Sequence, residues 1–276
     1  MKRSCQLQCA LVSVALLLCV VKGFAQYNEK YRDQFHFSPN SGWIGDPDGL
    51  IKWKGTYHLY WWGHATSTDL VHWNDQPYPI VGDPGNYGIN TGSAVVDKNN
   101  VAGFGTNAVI GFHTLTAGPV QGVGISSSVD SGFRYNLYGS NPVLGFLTDD
   151  NFRDPQVFWH PATNKWVLAI AKGHERKISF YTSSDLKSWT WRSDFGPSGG
   201  YSYDNWETPD LFPLPVDGNP ANTKWVLTVG AFPTPGGGGD TVREVYHVGS
   251  FNGTAFTSDN PGTEFRLDHG RDFYAA

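Results

Sequence analysis

The chain has 276 residues, of which 39% are hydrophobic, 15% aromatic and only 16% charged, with a formal net charge of −5. This apolar and aromatic content excludes a disordered chain and predicts an ordered globular protein. Thirty-three Gly and 17 Pro beside many Trp, Tyr and Phe indicate short strands joined by tight turns, and they argue against long helices.

Residues 1–25 have the pattern of a secretory signal peptide. Lys2 and Arg3 precede an apolar run over residues 10–21, and small residues lead to a predicted cleavage after Ala25. The alternative, a membrane anchor, needs about 20 apolar residues to cross a bilayer, and this run is too short. Cleavage would remove all three cysteines and leave 17 basic and 25 acidic residues, a net charge of −8. We therefore expect a secreted protein without a membrane span. A nucleic-acid partner is not expected, because binding it would require a basic surface. The oligomeric state stays open.

Similar strand pairs recur along the chain, each opened by an acidic residue next to a proline and continued by an aromatic-rich strand. The three clear pairs are residues 46–51 with 55–60, 154–159 with 165–170, and 209–212 with 224–229. A more divergent copy covers residues 91–96, 108–113 and 124–130, and a fifth start follows at Asp272-Phe273-Tyr274.

These five starts predict an all-β, five-bladed β-propeller over residues 26–276, with about four strands in each blade. Because the chain stops four residues after Asp272, we expect it to be truncated within the fifth blade. The first strands of propeller blades line a central channel, so acidic residues at their starts would meet in one pocket. Asp46, Asp154 and Glu207 are the candidates, although Asp-Pro is also an ordinary turn signal.

Three blocks of this sequence resemble the signature motifs of glycoside hydrolase family 32, which contains invertases, inulinases and levanases. They are Gly42-Trp43-Ile44-Gly45-Asp46-Pro47-Asp48-Gly49, Phe152-Arg153-Asp154-Pro155 and Trp206-Glu207-Thr208-Pro209-Asp210-Leu211-Phe212. Shorter matches include Trp62-Gly63-His64-Ala65, Thr91-Gly92-Ser93-Ala94 and Asp268-His269-Gly270-Arg271-Asp272-Phe273-Tyr274-Ala275. The resemblance covers residues 31–276 in family order.

The resemblance implies a retaining hydrolase that acts on terminal β-fructofuranosyl groups, with no metal or organic cofactor, and a C-terminal β-sandwich that this chain lacks. By position, Asp46 would be the nucleophile, Glu207 the acid/base and Asp154 the transition-state stabiliser. The expected substrate-binding residues are Arg153, Trp43, Trp62, Ser93 and Asp272. For the tryptophans, a place in the core is the alternative.

The sequence also departs from the family pattern. Gly45 and Asp48 stand where the family commonly has Asn, which removes an amide and adds a charge beside Asp46. About a dozen residues that the family usually has between Tyr60 and Trp61 are missing, which predicts a more open pocket rim. Thr208 replaces a frequent Cys after the acid/base, and we expect it to tune Glu207.

The leading prediction is a secreted glycosidase that releases fructose from sucrose or from fructans such as inulin and levan. Two alternatives stay open on the sequence alone. One is fructosyl transfer to another sugar with the same three carboxylates. The other is a non-catalytic fructan-binding protein or inactive fragment, which the Gly45 and Asp48 changes and the missing segments motivate.

Overall fold

The computed structural model describes residues 30–33, 36–81, 85, 87–147, 151–198, 205–232, 242–270 and 273–275. The predicted signal peptide and the predicted site residue Asp272 lie outside these ranges. The chain divides into two compact units, Met1–Trp43 and Ile44–Ala276. In the first unit, the Arg32 guanidinium donates hydrogen bonds to the hydroxyl and carbonyl of Ser38 and to the carbonyl of Pro39. Within the described ranges we find no apolar helix of membrane-spanning length.

The described residues of the second unit form four sheets, and the innermost strand of each contains a predicted repeat start or begins within two residues of one. The first sheet has the order β1-β2-β3-β4, and the second has the order β5-β9-β8-β7-β6 with β10 added beside β8. The strands of these two sheets are β1 (Asp48–Trp53), β2 (Thr56–Tyr60), β3 (His64–Ser67), β4 (Trp73–Gln76), β5 (Ile80–Val81), β6 (Gly88–Asp97), β7 (Ala108–Ala117), β8 (Val120–Ser128), β9 (Tyr135–Leu137) and β10 (Leu144–Leu147).

The third sheet has the order β11-β12-β13-β14, and the fourth has the order β15-β16-β17-β18 with β19 added beside β17. Their strands are β11 (Phe152–His160), β12 (Lys165–Lys172), β13 (Lys177–Ser183), β14 (Thr190–Phe195), β15 (Asn205–Val216), β16 (Asn219–Phe232), β17 (Arg243–Phe251), β18 (Phe256–Ser258) and β19 (Phe265–Arg266). Two 3-10 helices, Pro161–Thr163 and Gly173–Glu175, sit in the hairpins of the third sheet.

The fold is therefore all-β, with four blades of a β-propeller within the described residues. The expectation of about four strands per blade is wrong for the second sheet, which has six, and for the fourth, which has five. The additional strands are short and pair at sheet edges, where they cover backbone groups that would otherwise be unpaired. The count of five blades and the truncation within the fifth stay predictions.

A repeated turn follows the third strand of the first and third sheets. The serine hydroxyl oxygen accepts the backbone N–H three residues later, at 2.8 Å after Ser67 and 2.9 Å after Ser183. The aspartate two residues further on does the same, at 2.8 Å for Asp69 and 2.7 Å for Asp185. The similarity of these two sequence segments thus reflects one turn geometry.

The core lies between neighbouring sheets, as the alternation of β12 shows. Because successive side chains of a strand point to opposite faces, each face of the third sheet packs against a different neighbour. Three side chains face the second sheet, namely Trp166, Leu168 and Ile170. The three that alternate with them face the fourth sheet, namely Val167, Ala169 and Ala171.

A bulge interrupts the innermost strands β1, β11 and β15 near their beginnings, where one extra residue shifts the pairing with the next strand. One bulge residue in each has a left-handed conformation, with φ of 53° at Gly49, 63° at Asp154 and 47° at Thr208. Pro155 and Pro209 follow directly, because proline has no N–H to donate and is tolerated at bulges. The Asp-Pro pair in β11 therefore marks a bulge, which bends the strand and redirects its side chains.

Candidate active site

The beginnings of the four innermost strands surround a cavity of about 330 Å³. Asp48 from β1, Asp154 from β11 and Asp210 from β15 line it, so carboxyl groups from three sheets face one space. Residues 91–94 of β6 complete the wall. The structure thus brings together strand starts that are far apart in sequence. Of the three predicted carboxyls, however, only Asp154 lines this cavity, and Asp46 and Glu207 do not.

Asp46 lies two residues before β1, at the same end of the strands. Its carboxylate oxygen Oδ2 accepts a hydrogen bond of 3.0 Å from the Thr91 hydroxyl of the second sheet. Burial raises the pKa values of Asp154 and Glu207, and the negative charge of Asp46 adds to the rise in both. The three predicted carboxyls therefore form one interacting cluster.

Asp154 is the most enclosed of these carboxyls, with 6% of its surface exposed. Its backbone N–H donates to the Thr114 hydroxyl at 2.8 Å, and its Oδ2 accepts the Thr208 N–H at 2.9 Å. Thr114 in turn donates to the carbonyl of Thr91 at 2.8 Å. Burial raises the pKa of Asp154 to about 8, against the lowering effect of the Thr208 N–H. This network fixes the position of Asp154 from the second and fourth sheets at once.

The carboxyl group of Glu207 accepts one hydrogen bond from a guanidinium and one from a hydroxyl. Arg153 Nη2 lies 3.1 Å from Oε2, and the Tyr274 hydroxyl donates to Oε1. Burial raises the pKa of Glu207, although the Tyr274 and Arg153 contacts oppose the rise. A carboxyl with a raised pKa keeps its proton at higher pH than an exposed one, which suits a proton donor.

Arg153 links two of the three carboxyls. Besides its contact with Glu207, its Nε lies 4.0 Å from Asp154 Oδ2. The guanidinium therefore supplies one positive charge between two acidic groups that would otherwise repel each other. The expected role of Arg153 in substrate binding stays a prediction.

Trp62 lies against the backbone just before Asp46 and is 44% exposed. A Cβ atom built on Gly45 would lie 1.6 Å from the Trp62 ring, so no side chain fits at residue 45 while the ring keeps this place. The departure from the family's Asn at this position thus has a structural reason. With this exposure, Trp62 is not a core residue.

The other predicted site residues have different outcomes. Ser93 lines the cavity, and its hydroxyl oxygen accepts the backbone N–H of Val157 at 3.0 Å, which ties the second sheet to the third. Trp43 belongs to the N-terminal unit and is 71% exposed, so it is not in a core. Thr208 contacts Asp154 through its backbone rather than Glu207. The substrate-binding roles of Ser93 and Trp43, and the expected effect of Thr208 on Glu207, stay predictions.

Asp48, the other departure from the family pattern, accepts the Gly92 N–H at 2.9 Å. Burial, against the lowering effect of the Gly92 N–H and with a smaller contribution from the nearby charge of Asp46, raises its pKa to about 7. Within the described ranges, no group of three His, Cys, Asp or Glu side chains is arranged to hold a metal ion.

Three residues that form hydrogen bonds with the predicted acidic residues were not singled out as site residues by the sequence reasoning. Tyr274 and Thr91 lie inside motifs that the resemblance rests on, so those motifs carried a signal for them. Thr114 lies within β7. The only signal that could have identified it is its polar side chain in a strand that is otherwise largely buried.

A family model described as the glycosyl hydrolases family 32 N-terminal domain matches residues 36–276. The chain belongs to glycosyl hydrolase family 32. Among curated relatives of this family 32 chain, a levanase from Bacillus subtilis (strain 168) is 41% identical, over 91% of this chain and 39% of the levanase. An extracellular exo-inulinase from Aspergillus ficuum is 38% identical, over 95% of this chain and 58% of the inulinase.

A solved structure of a fructofuranosidase from Schwanniomyces occidentalis in complex with fructose matches this family 32 chain with a TM-score of 0.82 and 35% identity. The match covers 91% of this chain and 52% of that structure. The chain therefore spans between about 40% and 60% of the length of these relatives.

Proposed function

We propose that this protein is a retaining glycosidase that releases terminal β-fructofuranosyl residues from sucrose or fructans. The observation that carries the proposal is the placement of Glu207, held by Tyr274 and Arg153 beside the interacting carboxyls Asp46 and Asp154. The similarity to a levanase, an exo-inulinase and a fructofuranosidase supports a fructosyl substrate.

In the first step, the Asp46 carboxylate attacks the anomeric carbon of the fructosyl ring while the bond to the leaving oxygen breaks. Glu207 gives its proton to that oxygen and becomes a carboxylate. In the second step, Glu207 takes a proton from water, and the resulting hydroxide equivalent displaces Asp46 from the anomeric carbon. The products are free fructose and the remaining sugar, and both carboxyls return to their starting states.

Asp154 is proposed to accept hydrogen bonds from hydroxyls of the fructosyl ring. Its backbone N–H is bonded to Thr114 and its Oδ2 accepts the Thr208 N–H, and these contacts would hold the carboxyl in place as the ring flattens toward an oxocarbenium-like state. We also infer that the protein is secreted, since residues 1–25 have a signal-peptide pattern and the inulinase relative is extracellular.

The test is fructose release from sucrose, inulin and levan by the purified chain and by Asp46→Asn. The substitution keeps the shape of the side chain and removes the attacking charge, so we expect turnover to vanish while the far-ultraviolet spectrum is unchanged. Asp217→Asn is the matched control, because Asp217 is exposed at the hairpin between β15 and β16 and its left-handed φ of 50° suits Asn.

Full activity in Asp46→Asn would overturn the nucleophile assignment. The stereochemical course is tested separately, by following the anomer of fructose formed first in a nuclear magnetic resonance time course. Two displacements predict the β anomer first, and initial formation of the α anomer would contradict the retaining mechanism.

A further inference from the structure

A second concave surface lies at the far end of the same innermost strands. It is a groove of about 560 Å³ between the second and third sheets, a volume within the range of ligand sites. Trp159 of β11 forms one wall, and Val101, in the turn after β6, forms the other. Trp159 lies five residues beyond Asp154 on the strand, about 17 Å away at the rise of an extended chain. The groove is therefore separate from the carboxyl cavity.

The Trp159 side chain is 40% exposed, yet its orientation is fixed. Its ring meets that of Trp166 edge to face, with ring centroids 5.2 Å apart and an interplanar angle of 68°. Trp166 in turn belongs to the core between the second and third sheets. A rigid, exposed indole provides apolar surface at little cost in conformational entropy, and it can pack against the C–H face of a sugar ring.

The polar groups of the groove suit a neutral ligand. The exposed amides of Asn99 and Asn164 come from opposite walls and can each donate and accept hydrogen bonds. Two of the three charged groups have internal partners, since Asp97 accepts two backbone N–H groups at 2.9 and 2.8 Å and Lys165 donates to Ser184 at 2.6 Å. Amides beside an exposed indole match the hydroxyl-rich, partly apolar surface of a sugar.

We propose that this groove binds a segment of a neutral oligosaccharide, independently of the carboxyl cavity. Lys98 adds an exposed cation at the rim, but the net charge of −5 works against an anionic ligand. A second site at the other end of the innermost strands would hold a polymer near the protein between catalytic events. It would have no effect on the hydrolysis of sucrose. The choice of fructan as the probe rests on the proposed function. The inference that the groove binds a sugar rests on the geometry of the groove alone.

The experiment measures the retardation of the Asp46→Asn protein in native gels that contain inulin or levan, so that the probe is not degraded. Adding Trp159→Ala is expected to weaken polymer binding about tenfold, which corresponds to roughly 1.4 kcal/mol. Trp191→Ala is the matched control, since Trp191 is 54% exposed on β14 and does not line the groove. It should bind as the parent does.

Asn99→Ala provides a second variant on the other wall, in case loss of the Trp159 ring disturbs folding, and we expect about threefold weaker polymer binding. A change below twofold in both folded variants would overturn the proposal. In the chain with Asp46 intact, Trp159→Ala should slow the hydrolysis of dilute levan and leave sucrose hydrolysis within twofold. If no variant or parent hydrolyses sucrose, the proposed function fails, and the gel result still decides on the groove.

Discussion

The substitution Asp48→Asn should stabilise the protein at alkaline pH and have little effect near pH 4. Burial raises the pKa of Asp48 from 3.8 to about 7, while the unfolded chain keeps the ordinary value. Between these pH values the unfolded state releases a proton that the folded state retains, so the free energy of unfolding falls as pH rises, and above pH 7 the loss is complete. Asn cannot ionise, and its Oδ1 can still accept the Gly92 N–H.

The size of the effect follows from the pKa. The rise of the Asp48 pKa to about 7 limits the loss of unfolding free energy to about 4 kcal/mol, since each pKa unit corresponds to about 1.4 kcal/mol. Asp48 is only half-buried and keeps its backbone hydrogen bond, so we expect about 2 kcal/mol at pH 8. Other buried acids, such as Asp154 and Glu207, titrate in both the parent and the variant. Their contributions therefore cancel in the difference between the two unfolding free energies.

The assay is urea unfolding at pH 4, 6 and 8, followed by tryptophan fluorescence, with Asp217→Asn as the exposed control. The difference between Asp48→Asn and the parent should grow with pH, and the control should show none. Equal unfolding free energies at pH 8, or a parent more stable than the variant, would refute the account of Asp48 as a buried acid with a raised pKa.

Three further variants probe the carboxyl site. Glu207→Gln should lose most turnover of sucrose but much less of an aryl fructofuranoside, whose leaving group departs without a proton, and equal losses would contradict the acid role. Tyr274→Phe removes a hydrogen bond that lowers the pKa of Glu207. The alkaline limb of the kcat/KM profile should therefore move up by about one pH unit. A downward move of this limb would count against the role given to the Tyr274 hydrogen bond. Gly45→Ala forces the Trp62 ring to move, so KM for sucrose should rise about tenfold with a smaller change in kcat; an unchanged KM would show that Trp62 does not bind the sugar.

Much of the fold could be predicted because the blades repeat a local pattern. The acid–proline start and the aromatic second strand recur in the first, third and fourth sheets, and each of these starts coincides with the innermost strand of its sheet. The strands that the pattern did not predict, β5, β10 and β19, have two to four residues each. Such short edge strands form because a neighbouring strand offers unpaired backbone groups, and their own sequence has no alternation long enough to detect.

The carboxyls could be predicted as a group, but their partners could not. The contact between Tyr274 and Glu207 joins residues 67 positions apart, and the contact between Thr114 and Asp154 joins residues 40 apart. A sequence pattern identifies the strand that carries a side chain, whereas the neighbour on the next blade depends on how the two strands align. That alignment is a property of the packed sheets.

The bulges explain why these particular side chains meet. Arg153 and Glu207 each directly precede the left-handed residue of their strand, and both are the last residues paired before the register shifts. Tyr274 stands in the same relation to Ala275, whose φ is 54°. An arginine, a glutamate and a tyrosine that each directly precede a left-handed residue therefore form one hydrogen-bonded set. Asp46 lies outside this equivalence, three residues before Gly49, whereas Asp154 is itself the left-handed residue of its strand. The Asp46-Pro47 and Asp154-Pro155 pairs therefore match in sequence but occupy different structural positions.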